Sequence, residues 1–147
     1  MTADVMGAAG LLDETVLAAP AAVGVVRASL RAQLACWGLS CRAGDVDLIA
    51  GELLANAARY APYREMRVTF SLGPDGMRLS VWDSSDALPV VKPLGPVDVS
   101  ADAAALDAGH DDGTGGWGLP IVEALSLRCG VERTRPRGKW VWALIAC

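Results

Sequence analysis

The chain has 147 residues, 52% of them hydrophobic and 20% charged, with a formal net charge of -4. That length and apolar content suit one folded domain, 1–147, with a core of its own, and they exclude a disordered chain. The acidic balance excludes a general attraction to nucleic acid or to an anionic membrane, so neither is expected as a partner.

The first twenty residues are rich in alanine and leucine but carry Asp4, Asp13 and Glu14 and no basic cluster, opposite to a secretory signal. No apolar run reaches the ~18 residues of a membrane helix, so the expected location is cytoplasmic. Cys36, Cys41, Cys129 and Cys147 include no CxxC pair, and His110 is the sole histidine. Reduced, mostly buried thiols are expected, rather than disulfides or a zinc site.

Thr15-Val-Leu17 is a short candidate strand. Pro20 to Leu39 reads as a helix, with Val23, Val26, Leu30 and Leu34 at helical spacing, Pro20 in the first turn and Gly38 as the stop. A second helix is predicted from about Ala43 to Ala61, with Asp45 and Asp47 near its start and Pro62 beyond its end. Its apolar stripe is Val46, Ile49, Leu53 and Ala57, flanked by Glu52 and Asn56.

Met66–Leu72 and Met77–Trp82 alternate as strands around Gly73-Pro-Asp-Gly76, a turn in which proline presets φ and glycine permits positive φ. From Ser84 to Gly116 the periodicity lapses, and a run of that length in a compact domain reads as a lid or flexible loop. A third helix is predicted over about Gly118–Cys129. Two closing strands, near Gly130–Thr134 and Lys139–Ala146, follow. Helices on one face of a mostly antiparallel sheet give a two-layer α/β sandwich of the α+β class.

Three segments carry chemistry. Glu52 and Asn56 are four residues apart and share a helix face. An asparagine amide oxygen suits magnesium, and a glutamate beside it can accept a proton from an attacking hydroxyl. Asp83 ends a strand, where a carboxylate can accept from the amino group of a base. Gly113, Thr114, Gly115, Gly116, Trp117 and Gly118 open a helix, and close glycines let backbone N–H groups wrap phosphate. Arg59, Arg64 and Lys139 are the basic residues best placed to meet phosphate, whereas Trp140 and Trp142 read as sheet packing. Taken singly, each motif has an ordinary explanation as a helix edge, a turn acid or a linker. Their order along the chain makes them a set.

In that order the motifs resemble the GHKL, or Bergerat-fold, ATPases, and most nearly their small anti-sigma factor serine/threonine kinases and related actinobacterial regulatory ATP-binding proteins. The N box is Glu52-Leu-Leu-Ala-Asn-Ala-Ala-Arg-Tyr60, the adenine strand is Leu79-Ser-Val-Trp-Asp83, and the second glycine box is Gly115-Gly-Trp-Gly-Leu-Pro-Ile-Val122. The close, Gly138-Lys-Trp-Val-Trp-Ala143, is also typical of that branch.

The resemblance implies ATP and Mg2+ as cofactors. Asn56 would hold the metal, Glu52 would be the general base, and Asp83 would read adenine. Arg59, Ala87 and Gly113 to Leu119 would complete the nucleotide site, with 84–116 containing the lid. It also implies a sigma factor as sequestered partner, a STAS-domain protein as phosphoryl acceptor, and a homodimer. One box departs from the pattern. Where the family has D-x-G-x-G, this chain reads Asp83-Ser-Ser-Asp-Ala87, with Ser85 and Ala87 in the glycine positions. The threonine that many members carry near Lys139 or Trp140 has no counterpart. A regulatory kinase and a non-catalytic partner-binding module with weak or no nucleotide binding therefore both stay open, with a metabolic ATPase a distant third.

Overall fold

The computed structural model describes residues 11–88 and 120–147. Strand β1 (Leu11–Leu17) is followed by helix α1 (Pro20–Trp37), a single 3-10 turn (Ser40–Arg42), helix α2 (Ala43–Tyr60) and the hairpin β2 (Glu65–Gly73) and β3 (Gly76–Asp83). A helix α3, described over 120–125, leads into a second hairpin, β4 (Arg128–Arg133) and β5 (Lys139–Ile145). The five strands form one fully antiparallel sheet in the order β1-β2-β3-β5-β4.

Strand alternation splits the sheet into two chemistries. On the inner face Leu12, Phe70, Leu79, Ala143 and Cys129 make one cross-strand row, and Val68, Val81, Val141 and Val131 make the next. The helices pack here. Val26, Leu30 and Leu34 of α1, Ile49, Leu53 and Leu54 of α2, and Val122 of α3 are buried against these strands, and Trp37 meets Phe70 with ring centroids 4.9 Å apart. The sheet with helices on one face is the α+β sandwich the sequence predicts. Among the described residues, no helix is long and apolar enough to cross a membrane.

The outer face carries Arg67, Arg78, Trp82, Trp140 and Trp142. The guanidinium of Arg78 lies 4.3 Å from the centre of the Trp142 ring. Trp142 and Trp82 lie flat over Gly130 and Gly138, where a Cβ would come within 2.9 and 2.6 Å of the indoles. The tryptophans are thus sheet packing, but on the face away from the core.

Local signals set the ends of the elements. Gly38 takes a left-handed φ of 72° and closes α1, its N–H reaching the Ala35 carbonyl while Leu39 N–H reaches Leu34. The 73–76 turn forms as predicted, with Gly76 at φ 137°. The third helix stops earlier than its apolar pattern suggests. Ser126 Oγ donates back to the Val122 carbonyl, and Leu127 N–H donates to Leu144, so β4 starts at Arg128.

The cysteines also differ from expectation. All four are free, but Cys36, Cys41 and Cys147 are exposed and only Cys129 is partly covered. Cys36 falls two positions past Leu34 and so leaves the buried stripe of α1. Burial raises the Cys129 thiol pKa above its ordinary value.

Gly138 sits at φ 92°, and a Cβ there would lie 2.6 Å from both the Asp83 carbonyl oxygen and the Trp82 ring. Left-handed strain of about 1–2 kcal/mol and overpacking of about 1–3 kcal/mol then act together. Gly138→Ala is expected to destabilise the chain by about 2–4 kcal/mol in urea unfolding; a change under 0.5 kcal/mol would show that the hairpin can relax.

Candidate functional site

Three side chains of α2, at 52, 56 and 60, follow one another at four-residue steps along a single ridge. Glu52 is half-buried. Asn56 is buried, with 6% of its surface exposed, and its Nδ2 has no hydrogen-bond partner among the described residues. The Tyr60 ring lies 4.8 Å from Lys139 Nζ, so the ridge ends at the start of β5.

Opposite Lys139 in the β3–β5 ladder stands Asp83. Lys139 Nζ donates to Asp83 Oδ1 at 2.9 Å, with the two side chains 0% and 1% exposed. The same oxygen accepts the Ser85 N–H at 2.9 Å. Asp83 Oδ2 is buried and accepts no hydrogen bond among the described residues. The carboxylate is therefore held by one oxygen and presents the other as an unspent acceptor. This corrects the reading of Lys139 as a phosphate contact: its ammonium is enclosed by Asp83, the Ser85 carbonyl at 3.4 Å and the Tyr60 ring.

The altered glycine box forms a bonded turn. Ser85 N–H on Asp83 makes an Asx turn, and Ala87 N–H donates to Ser85 Oγ at 3.1 Å. Asp86 Oδ1 then accepts the Gly138 N–H at 2.9 Å and ties this loop to the turn before β5. Ser85 thus supplies by side chain a turn that glycine supplies by backbone freedom, while Ala87 is exposed beyond it.

Glu52 has a neighbour the sequence did not reveal. Arg27 of α1 crosses α2 at Gly51, where a Cβ would collide with its guanidinium, and it donates to the Asp47 carbonyl at 3.0 Å. Burial raises the Glu52 pKa above its ordinary value of 4.5, and the Arg27 charge opposes that shift only in part.

Of the other predicted residues, Arg59 is exposed and already has an interaction partner in the fold. Arg64 is not at this site; it lies on the opposite side of the sheet, beside Trp82. Gly113, Thr114, Gly115, Gly116, Trp117, Gly118 and Leu119 fall outside the described residues, as does most of the expected lid.

The family model described as a histidine kinase-like ATPase domain matches residues 16–145. The chain belongs to this family. A comparison with curated proteins finds no match.

The family implies ATP, typically with magnesium, and the residues of this histidine kinase-like ATPase domain fit that group. The orphaned Asp83 Oδ2 suits an amino N–H, and the buried Asn56 amide has an unspent N–H and a hard oxygen. Among the described residues, no group of three or more His, Cys, Asp or Glu could hold a metal ion. Magnesium does not need one, since it takes one or two protein oxygens and completes its shell with phosphates and water.

Removing one partner of the Asp83–Lys139 pair leaves a buried, uncompensated charge. Lys139→Met is expected to cost about 3–5 kcal/mol in chemical denaturation, and adding Asp83→Leu is expected to recover most of it. No recovery in the double variant would mean that Lys139 acts through contacts other than the pair. Glu52 gives a pH signature. A raised folded-state pKa means that stability falls as pH rises from 4.5 through that value. Glu52→Gln should therefore raise Tm at neutral pH and leave it unchanged below about pH 4. An equal gain in melts at both pH values would exclude burial of the charge as the cause.

Proposed function

We propose that this chain is an ATP-binding regulatory protein that sequesters a sigma factor and phosphorylates a serine or threonine of a STAS-type antagonist. The observation that carries the nucleotide part is Asp83 Oδ2, a buried acceptor fixed at the end of β3 with no hydrogen-bond partner among the described residues. Adenine offers an exocyclic amino group of the matching polarity.

In this reading Asp83 accepts from that amino group, and Lys139 and Ser85 keep the carboxylate oriented toward it. Asn56 contributes its amide oxygen to magnesium, which when bound neutralises phosphate charge. Glu52 takes the proton of the attacking hydroxyl at its carboxylate. Its pKa, raised by burial, brings it nearer to the working pH of a general base. Residues 113–119 supply backbone N–H groups to the phosphates. The sigma factor, the STAS partner, the homodimer and the cytoplasmic setting come from the family resemblance, and they belong to the proposal as a whole.

A second reading has its own support. Lys139 fills space beside Asp83, and Ser85 and Ala87 add side chains where the pattern has glycine. Both favour a module that keeps the fold and sequesters its partner with little or no nucleotide bound.

Calorimetric titration separates the two. The kinase reading expects micromolar ATP binding that needs magnesium, lost at least tenfold in Asn56→Ala. Glu52→Ala should keep ATP bound and abolish phosphoryl transfer. Absence of binding at millimolar ATP would establish the sequestering module instead, and transfer undiminished in Glu52→Ala would remove that residue as base.

A further inference from the structure

On the far side of the sheet from Asp83 there is a concavity of about 370 Å3. Leu17, Glu65 and Trp82 line it, and all three belong to the outer-face rows of the ladder. Two turns bring Arg64 and Arg137 to its rim.

Both turns are held by hydrogen bonds. In the first, Tyr63 N–H donates to Ala18 at 3.0 Å and Ala18 N–H donates to Arg64 at 2.8 Å. These bonds hold Tyr63 at φ 59°, a costly conformation for a bulky residue, with 70% of its surface exposed over the cavity. In the second, Thr134 Oγ1 accepts from Trp82 Nε1 at 2.9 Å and donates to the Arg137 carbonyl at 2.6 Å. Gly138 allows this turn to close over the indole.

The arginines are unspent. Elsewhere on this face Arg67 is paired with Asp13 and Arg78 with Glu132. The guanidiniums of Arg64 and Arg137 make no hydrogen bond or ion pair among the described residues. Two unpaired guanidiniums thus stand at the rim of this cavity in a chain whose net charge is -4. Glu65 and Trp82 also line a neighbouring hollow of about 280 Å3 with Arg67 and Trp140, which extends the cavity into a groove floored by indole.

We propose that this groove docks an acidic peptide segment of a partner protein. Its carboxylates lie between Arg64 and Arg137, and an apolar side chain lies on Trp82. Charge complementarity selects the acidic class, since a guanidinium offers a planar fork to a carboxylate. The indole floor, which accepts an apolar side chain, selects peptide over polyphosphate. The fixed turns mean that little of the binding free energy is lost to ordering the site. This site does not depend on nucleotide binding.

The test is a two-dimensional 15N NMR titration of the full chain, without nucleotide, using a capped heptapeptide of alternating glutamate and leucine. Parallel titrations use its glutamine counterpart, inorganic phosphate and a short oligodeoxythymidine. The acidic peptide is expected to shift the Trp82 indole N–H and the Nε–H signals of Arg64 and Arg137. The glutamine peptide should leave them in place. Arg64→Ala with Arg137→Ala should lower the affinity about tenfold, and because both side chains are unpaired the Tm should be unchanged. Undiminished affinity in the double variant, equal binding of the glutamine peptide, or the same shifts from phosphate alone would each overturn the proposal. Tighter binding of the oligonucleotide would overturn it in favour of nucleic acid.

Discussion

The buried ion pair between Asp83 and Lys139 constrains more of this molecule than any other contact. Two charges withdrawn from water lose solvation that their mutual attraction repays only if further hydrogen bonds satisfy them. The surroundings meet that demand from two elements. The turn after β3 supplies the Ser85 N–H to the carboxylate and the Ser85 carbonyl to the ammonium, and α2 sends Tyr60 to cover Lys139. The place where α2 ends, the path of the chain beyond Asp83 and the entry to β5 are thereby coupled. Asp83 Oδ2, which has no partner among the described residues, is the feature from which the nucleotide reading starts.

A sheet with helices on one face has to solve a different problem on the other. Here the outer rows combine paired arginines with tryptophans laid over glycines, so that large apolar rings are half-covered without a second layer. The arrangement depends on the glycines: at 130 and 138 any side chain would occupy the volume of an indole. It also explains why a chain with an ordinary charge content can keep three tryptophans outside its core. Their edges are packed, and two of them lie beside a guanidinium.

Much of the fold was legible in the sequence because the signals are local. The stripe Val26, Leu30, Leu34, the Gly38 stop and the 73–76 turn each act within a few residues, and each forms where the pattern places it. The site was legible only in part. Glu52 and Asn56 are a helix-period pair and needed no tertiary knowledge. The partner of Asp83 is 56 residues away, and only strand register puts Lys139 opposite it. A lone lysine at a strand start looks like a surface charge in any sequence. Arg27 escaped for the same reason, since its approach to Glu52 depends on how α1 crosses α2 at Gly51. The end of the third helix was misjudged because an apolar run continues through Leu127, while a hydrogen bond to β5 already commits that residue to the sheet.

Trp82 and Asp83 bring the two halves of the molecule together. They are adjacent in β3 and point to opposite faces, Asp83 toward the helices and Trp82 toward the arginine corner. The turn that precedes β5 is shared as well: Thr134 holds the indole, Gly138 N–H is held by Asp86 from the loop after Asp83, and Lys139 follows at once to hold the carboxylate. One short stretch, 134–139, therefore sets the geometry of both sites. Lys139 holds the Asp83 carboxylate on one face, and two residues earlier the Arg137 carbonyl is held by Thr134 on the other. A Cβ at Gly138 would press on both the Asp83 backbone and the Trp82 ring, and this gives the Gly138 position its weight in the fold.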